Sequence, residues 1–414
     1  MMESMTTAPE TTEPLWVTAW SLEEGERRAR ARLHEACGVE AKSVWSAPGR
    51  INIMGEYTDI SNGVCLSTLV PHRTFVAATM RTDSRVRIAG EPGTDTAGPP
   101  AVWEGHLDSL EDLRNTDAWM SYPAGVLWSL QERGYSGAGM DLAVVSCVPL
   151  SSGLSSSTSL AAATALAANS LWGLLLPTDI GATELAGVCM DAENDLVGST
   201  TGGVAQHTIL RCAPDEAIYL DFDSPPPAAT PCDLTFSEYG LGILIVDTRA
   251  RSASPVDIVT QRMSEIRDAA RALGVASLRQ IQSDPDGLAR IDALDDLTLR
   301  KRARHVFTDN ERVDLVRDEL SGSSPAHERF VSVGKAMYRS HASLEMDFEI
   351  SCDELNLAVD TAFRVGAFGA RMLGAAGGGS AIALMRRSHA EPAARAIDAA
   401  FQDHRLERPR FTFF

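Results

Sequence analysis

The chain has 414 residues, 44% of them hydrophobic and 22% charged, and a formal net charge of −19. That length favours two domains with ample material for a core. The negative charge argues against nucleic-acid and anionic-membrane partners, because the phosphate attraction behind nonspecific binding becomes repulsion. The cysteines are seven, scattered and without Cys-x-x-Cys spacing, which argues against a disulfide framework or zinc site and fits a reducing cytoplasm.

Met1–Pro14 is polar and threonine-rich, lacks the regions of a signal peptide, and is expected to be a disordered tail. Leu22–Cys37 spaces Glu and Arg as on an exposed helix face. Val44–Ile53 reads as a strand running into Gly49-Arg-Ile-Asn-Ile-Met-Gly-Glu-Tyr-Thr-Asp59. After a turn at Ser61–Gly63 come two strand-like runs, Val64–Val70 and Thr74–Met80. Glu91–Pro100 is a loop. Trp119–Gln131 reads as a helix with a kink or irregularity at Pro123. Met140–Val148 reads as a strand and Ser159–Trp172 as a helix closed by Gly173. Leu142–Thr178 carries no charge, but Pro149, the serines after it and Asn169 interrupt it. It therefore reads as a buried strand–loop–helix and not as a membrane span.

Thr183–Leu196 reads as a helix ending at the glycine-rich turn Gly198–Gly203. Strand signals follow at Pro214–Asp223 and Leu241–Val246. The Pro-rich run Ser224–Pro231 between them is taken as an interdomain connection. This divides the chain into a tail over 1–14, an N-terminal domain over 15–223 and a C-terminal domain over 232–414. Ser254–Leu273, Leu297–Leu320, Glu328–Ser343 and Leu355–Phe368 have the pattern of amphipathic helices. A second glycine-rich loop, Gly374–Gly379, enters the strand Ser380–Met385. A helix over Glu391–Phe401 and a strand over Arg410–Phe414 follow.

The chain centres on Pro149–Leu160, Pro-Leu-Ser-Ser-Gly-Leu-Ser-Ser-Ser-Thr-Ser-Leu, between a strand and a helix. Small residues in such a turn let backbone N–H groups approach an anion, and the helix N-terminus adds unpaired donors. A phosphate suits this device, and so does a plain Ser-rich turn before a buried helix. It is not a Walker A loop, since no Lys follows. The only lysines are Lys42, Lys301 and Lys335, so a phosphate held here depends on backbone, hydroxyls, Arg and a metal.

Three stretches stand out together: Gly49–Asp59, the serine loop, and Gly369-Ala-Arg-Met-Leu-Gly-Ala-Ala-Gly-Gly-Gly379. The triple resembles the signature of the GHMP small-molecule kinases, and the first stretch resembles galactokinase in particular. Trp119–Val126, Val246–Arg249, Arg302–Arg312 and Ser340–Cys352 agree, in the family's order, over roughly Ala47 to Leu384. The resemblance implies an α+β, two-domain GHMP kinase fold with mixed sheets and an active site in the interdomain cleft. It implies phosphorylation of a sugar's anomeric hydroxyl by ATP with Mg²⁺, catalysis resting on positioning and charge neutralisation. By the same resemblance Ser151, Ser152, Gly153, Leu154, Ser155, Ser156 and Ser157 hold the nucleotide, and Ser157 and Glu193 ligate Mg²⁺. Arg50 stabilises the transferring group. Arg50, Glu56, Tyr57, Asp59 and Gly202 meet the sugar, and Arg371 is read as a structural ion pair. A cytoplasmic monomer or homodimer is implied.

The chain also departs from the family. Where galactokinases carry a catalytic Asp, the stretch Thr201-Gly-Gly-Val-Ala-Gln206 has Ala205. Alanine can neither take a proton nor orient a hydroxyl. An engineered replacement, a natural enzyme without that carboxylate, and a sugar- and ATP-binding regulator without turnover all fit; His207 is a nearby substitute base to examine. Tyr57 replaces a His, Ile60 a Tyr, and Val259 falls where a further Tyr is expected. These changes suggest galactose or a related, longer or modified sugar, natural-product octoses among them. Ser151, Thr158, Ala375 and Ala376 are slightly larger than the family's loop residues and are expected to reshape the phosphate cradle.

Overall fold

A computed structural model of the chain describes residues 13–91, 101–116, 118–174, 178–252, 255–374 and 378–414. Its first half contains β1 (Leu15–Trp16), α1 (Leu22–Cys37), β2 (Ser43–Met54), β3 (Val64–Met80), β4 (Arg85–Glu91), β5 (Ala101–His106), α2 (Ser121–Glu132) and β6 (Met140–Ser146). Then come α3 (Ser156–Leu171), α4 (Thr178–Asp191), α5 (Val204–Arg211), β7 (Glu216–Asp221), β8 (Ala228–Asp233) and β9 (Leu241–Asp247). The rest is α6 (Pro255–Ala272), α7 (Gly287–Asp292), α8 (Leu297–Ser321), α9 (Ala326–Met346), α10 (Asp353–Arg364), β10 (Gly369–Met372), β11 (Ser380–Arg386), α11 (Ala390–Asp403) and β12 (Arg410–Phe413).

Two mixed sheets organise these elements, in the α+β class. One has the order β5-β4-β6-β3-β7-β8 with β2 also paired to β3. Its β4 and β6 are parallel and its other pairs antiparallel. The other has the order β1-β12-β9-β11-β10, with β1 parallel to β12. The strand period of two sorts the first sheet's faces. Val76, Ala78, Leu142 and Val144 face a core shared with α2 and α3. Phe75, Ala77, Ala143 and Val145 face the opposite way, onto Ala29 and Leu33 of α1. A third core joins the two sheets. Ile51, Ile53 and Leu66 meet Ile243, Ile245 and Ile382 there, with Val313 and Val333 from α8 and α9. No helix among the described residues is long and apolar enough to cross a membrane.

The structure corrects several expectations. The two runs Val64–Val70 and Thr74–Met80 are one strand. β7 pairs with residues 64–68 and β6 with 74–80, while the β2 register skips between Leu69 and Arg73. Pro71 sits in that gap, where its missing N–H removes no ladder bond. Pro123 does not kink α2, because it lies in the first turn, where no helical N–H partner is needed. The Pro-rich run Ser224–Pro231 is no free connection in its second part, since Ala228–Asp233 pairs along β7. Leu15–Trp16 belongs to the second sheet although it precedes all of the first.

Candidate active site

Between β6 and α3 the chain passes through Ser151, Gly153 and Ser155 with φ of 56°, 79° and 60°. α3 then starts at Ser156 with no side chain capping its first N–H groups. Left-handed turns of this kind and an uncapped helix end present backbone donors to an anion. Ser151, Gly153, Ser155, Ser156 and Ser157 line a cleft of about 340 Å³. The other two expected loop contacts, Ser152 and Leu154, are not among the residues that line it. Ser152 is buried and returns its hydroxyl to the Pro149 carbonyl at 2.8 Å. Leu154 is buried, and its carbonyl accepts the Arg50 N–H at 3.1 Å, tying β2 to the loop.

Arg50, Asn52, Glu56, Tyr57 and Asp59 face the same cleft. They come from the end of β2 and the turn after it. Asn52 organises this wall: its Oδ1 accepts from Arg50 Nη1 at 3.1 Å, and its Nδ2 donates to Glu56 Oε2 at 3.0 Å. The Ser67 hydroxyl bonds the same Oδ1. Glu56 Oε1 lies 3.4 Å from Arg371 Nη1, both side chains being buried, so Arg371 is the structural ion pair expected of it. The Glu56 turn is clamped by α8. Asp309 Oδ2 accepts the Glu56 N–H at 3.3 Å, His305 Nε2 lies 3.1 Å from the Glu56 carbonyl, and Asn310 Oδ1 accepts the Val64 N–H at 3.0 Å.

Both wall carboxylates rest on glycine backbone. A Cβ at Gly202 would fall 2.2 Å from Asp59 Oδ2, and one at Gly374 would fall 2.4 Å from Glu56 Oε2. Burial pushes the Asp59 carboxyl up to about 6 against the opposing pull of Arg50. Gly202 lines the cleft with Thr200, Thr201 and Val204.

Ala205 sits in the first turn of α5, 5% exposed. His207 does not replace the missing carboxylate. It packs edge-on against Phe222, lies 3.2 Å from Arg211 Nη1, and is held by burial down to about 4; it is not part of the cleft wall.

Glu193 lies in a π-helical turn, Ala192–Val197, that prolongs α4. Single π turns often mark functional positions. Its Oε1 accepts from Thr158 Oγ1 at 2.9 Å and from Gln206 Nε2 at 2.8 Å. Burial pushes this carboxyl up to about 7. Thr158, one of the enlarged loop residues, therefore positions Glu193, a contact that no local pattern reveals. Ser157 and Tyr122 line a common cavity. Ala375 and Ala376 lie outside the described residues.

A second cavity of about 240 Å³ opens beside the serine loop. Ser151, Ser156 and Ser157 belong to both spaces, and Trp119, Tyr122, Leu150 and Leu160 give the second an apolar lining. Ile60, Val259 and Met263 also line the first cleft.

Three family models match the chain: GHMP kinases N terminal domain over residues 121–210, GHMP kinases C terminal over 323–403, and the galactokinase galactose-binding signature over 31–80. The galactokinase of Streptomyces coelicolor is 36% identical over 382 residues, 92% of this chain and 94% of that one. That of Mycobacterium tuberculosis is 34% identical over 86% of this chain and 91% of its own. Among solved structures, Lactococcus lactis galactokinase complexed with galactose superposes with a TM-score of 0.80 at 26% identity, covering 95% of this chain and 97% of that one. The mevalonate kinase of Methanococcus jannaschii, at 16% identity and a TM-score of 0.61 over 89% of this chain and 96% of its own, shares the fold.

Proposed function

Because the chain belongs to the galactokinase-like GHMP kinases, we propose that it moves the terminal phosphoryl group of ATP onto the anomeric hydroxyl of galactose or a related, longer or modified sugar. The observation that carries this reading is convergence. A serine loop of outward backbone donors and a wall of Arg50, Glu56 and Asp59 face one cleft.

In this reading the nucleoside lies in the apolar cavity under Trp119 and Tyr122, and its phosphates pass the serine loop into the cleft. Arg50 faces the transferring group, where a fixed cation stabilises developing charge without reorganisation. Glu56 and Asp59 accept sugar hydroxyls. Their rigid support by Arg371, Asn52 and Gly202 holds the sugar at one angle to the phosphate.

Ser157 and Glu193 suit Mg²⁺, which would neutralise phosphate charge when bound. The fit rests on the hard-oxygen character of the pair and on Glu193, which lies behind the cleft lining and among the described residues accepts only neutral hydrogen bonds, both on Oε1. Among the described residues no three His, Cys, Asp or Glu cluster as a metal site. The nucleotide would have to complete the coordination. The reading sets the protein in the cytoplasm, where ATP is supplied.

Ala205 favours a second reading, a sugar- and ATP-binding regulator without turnover, since no carboxylate comes from α5. A coupled assay for ADP with MgATP and a panel of aldoses decides. Sugar-dependent ADP release with a sugar 1-phosphate product supports the kinase. Saturable binding of both ligands with no product supports the regulator and ends the kinase reading.

A further inference from the structure

Two unlike groups of residues line the cleft. Arg50, Glu56 and Asp59 offer charge and hydrogen bonds. Ile60, Val259 and Met263 offer carbon and a thioether. Tyr57 adds no free hydroxyl donor to the lining, because its one hydroxyl proton goes to the Gly374 carbonyl. Its ring is packed on Phe348, with centroids 5.0 Å apart. Ile60 and Val259 are backed by the core of the second sheet, which fixes them as apolar lining.

A sugar hydroxyl pressed against such a surface leaves water and finds no partner, which costs binding. A methyl or methylene in the same place loses nothing and gains dispersion contacts. We propose that the sugar bound here presents a deoxygenated or methyl-capped carbon to Ile60, Val259 and Met263, while its hydroxylated edge meets Arg50, Glu56 and Asp59. The substrate class is thus an amphipathic sugar, and a fully hydroxylated hexose is a poor ligand. This inference rests on the sugar-kinase reading and adds which sugars the site selects.

The test compares galactose with 4-deoxygalactose, 6-deoxygalactose and 6-O-methylgalactose, by calorimetry and by initial rates with MgATP, in the full chain. At least one of the three analogues is expected to bind about ten- to hundredfold more tightly than galactose. Val259→Thr and Met263→Gln, which add polar atoms at little change in volume, are expected to shrink that advantage to about threefold or less. ATP binding is measured alongside as a check on folding. Galactose binding as tightly as every analogue overturns the inference and leaves the kinase reading standing. An analogue preference unchanged in both variants also overturns it, because the selective surface then lies elsewhere. If ATP binds and no sugar does, the kinase reading falls and the inference with it.

Discussion

The Tyr57 hydroxyl hydrogen-bonds the carbonyl of Gly374, 317 residues away in the chain. Tyr57 adopts φ of 62°, a conformation a residue with a Cβ seldom takes. The bond straps the turn bearing Glu56 to the loop after β10. Tyr57→Phe keeps the ring on Phe348 and removes the strap. The expected result is a loss of about 1 kcal/mol in stability, a severalfold rise in KM for the sugar, and little change in ATP affinity. Thermal melts and steady-state kinetics check this. An unchanged KM means the strap does not shape the sugar site.

Gly202→Ala forces a Cβ to within 2.2 Å of Asp59 Oδ2 unless the loop shifts. The carboxylate is the group displaced, so sugar binding is expected to weaken by at least tenfold, or about 1.4 kcal/mol. Nucleotide binding is expected to stay within twofold. Equal losses for both ligands would show that the loop collapses as a whole.

Much of the site is written locally. Gly49–Asp59 and Pro149–Leu160 are continuous stretches whose loop conformations follow from their own small and turn-forming residues, so they identify themselves. Asp309, His305 and Asn310 do not. Each is one polar residue in an amphipathic helix, and only the fold brings it against Glu56 and Val64. Thr158 looks like one more small loop residue until Glu193 is seen beside it. Strand β8 was hidden because Pro231 and its neighbours read as a linker, yet an edge strand tolerates proline. The long helices of the second half were legible from their periodicity alone. The short strand β10 was not, because its four residues are buried without alternation.

As the proposed Mg²⁺ ligand, Glu193 would tie metal binding to pH. Burial holds its carboxyl at about 7, above the ordinary 4.5, and a cation takes only the ionised form. Mg²⁺ affinity is expected to rise by up to about tenfold per pH unit below that value and to level off above it. Stability without metal runs the other way. The folded state holds this proton more tightly than the unfolded chain, so Glu193's contribution falls as pH rises from about 4.5 to about 7. Thr158→Ala removes a donor to the charged form and is expected to move the Mg²⁺ profile to higher pH. Titrations of Mg²⁺ at several pH values check both. A flat profile would overturn the proposal that Glu193 ligates Mg²⁺.

Ala205→Asp places a carboxylate in the first turn of α5, beside the cleft residue Val204. A helix N-terminus favours that charge. The variant is expected to raise kcat by about 10²–10⁴-fold, the range of a general base, and to change sugar affinity far less. Single-turnover kinetics separate the two effects. A fast parent enzyme that the substitution does not accelerate would show that positioning by Arg50 and the wall carboxylates suffices.

The parallel pairing of Leu15–Trp16 with Arg410–Phe411 joins nearly opposite ends of the chain. On a ribosome, β1 therefore waits for β12. Until β12 is released, β9 lacks its neighbour on that side and the second sheet has an unpaired edge. The second sheet depends on β12 to close an edge left open from the release of β9 onward, and loop closure over the separation of β1 from β12 is slow. Truncation after residue 409 is expected to free Trp16 from Phe411, 5.8 Å away, and to favour self-association over a clean loss of activity. Light scattering and Trp fluorescence would register the change, and a truncated chain that remains monodisperse would argue that the edge is harmless.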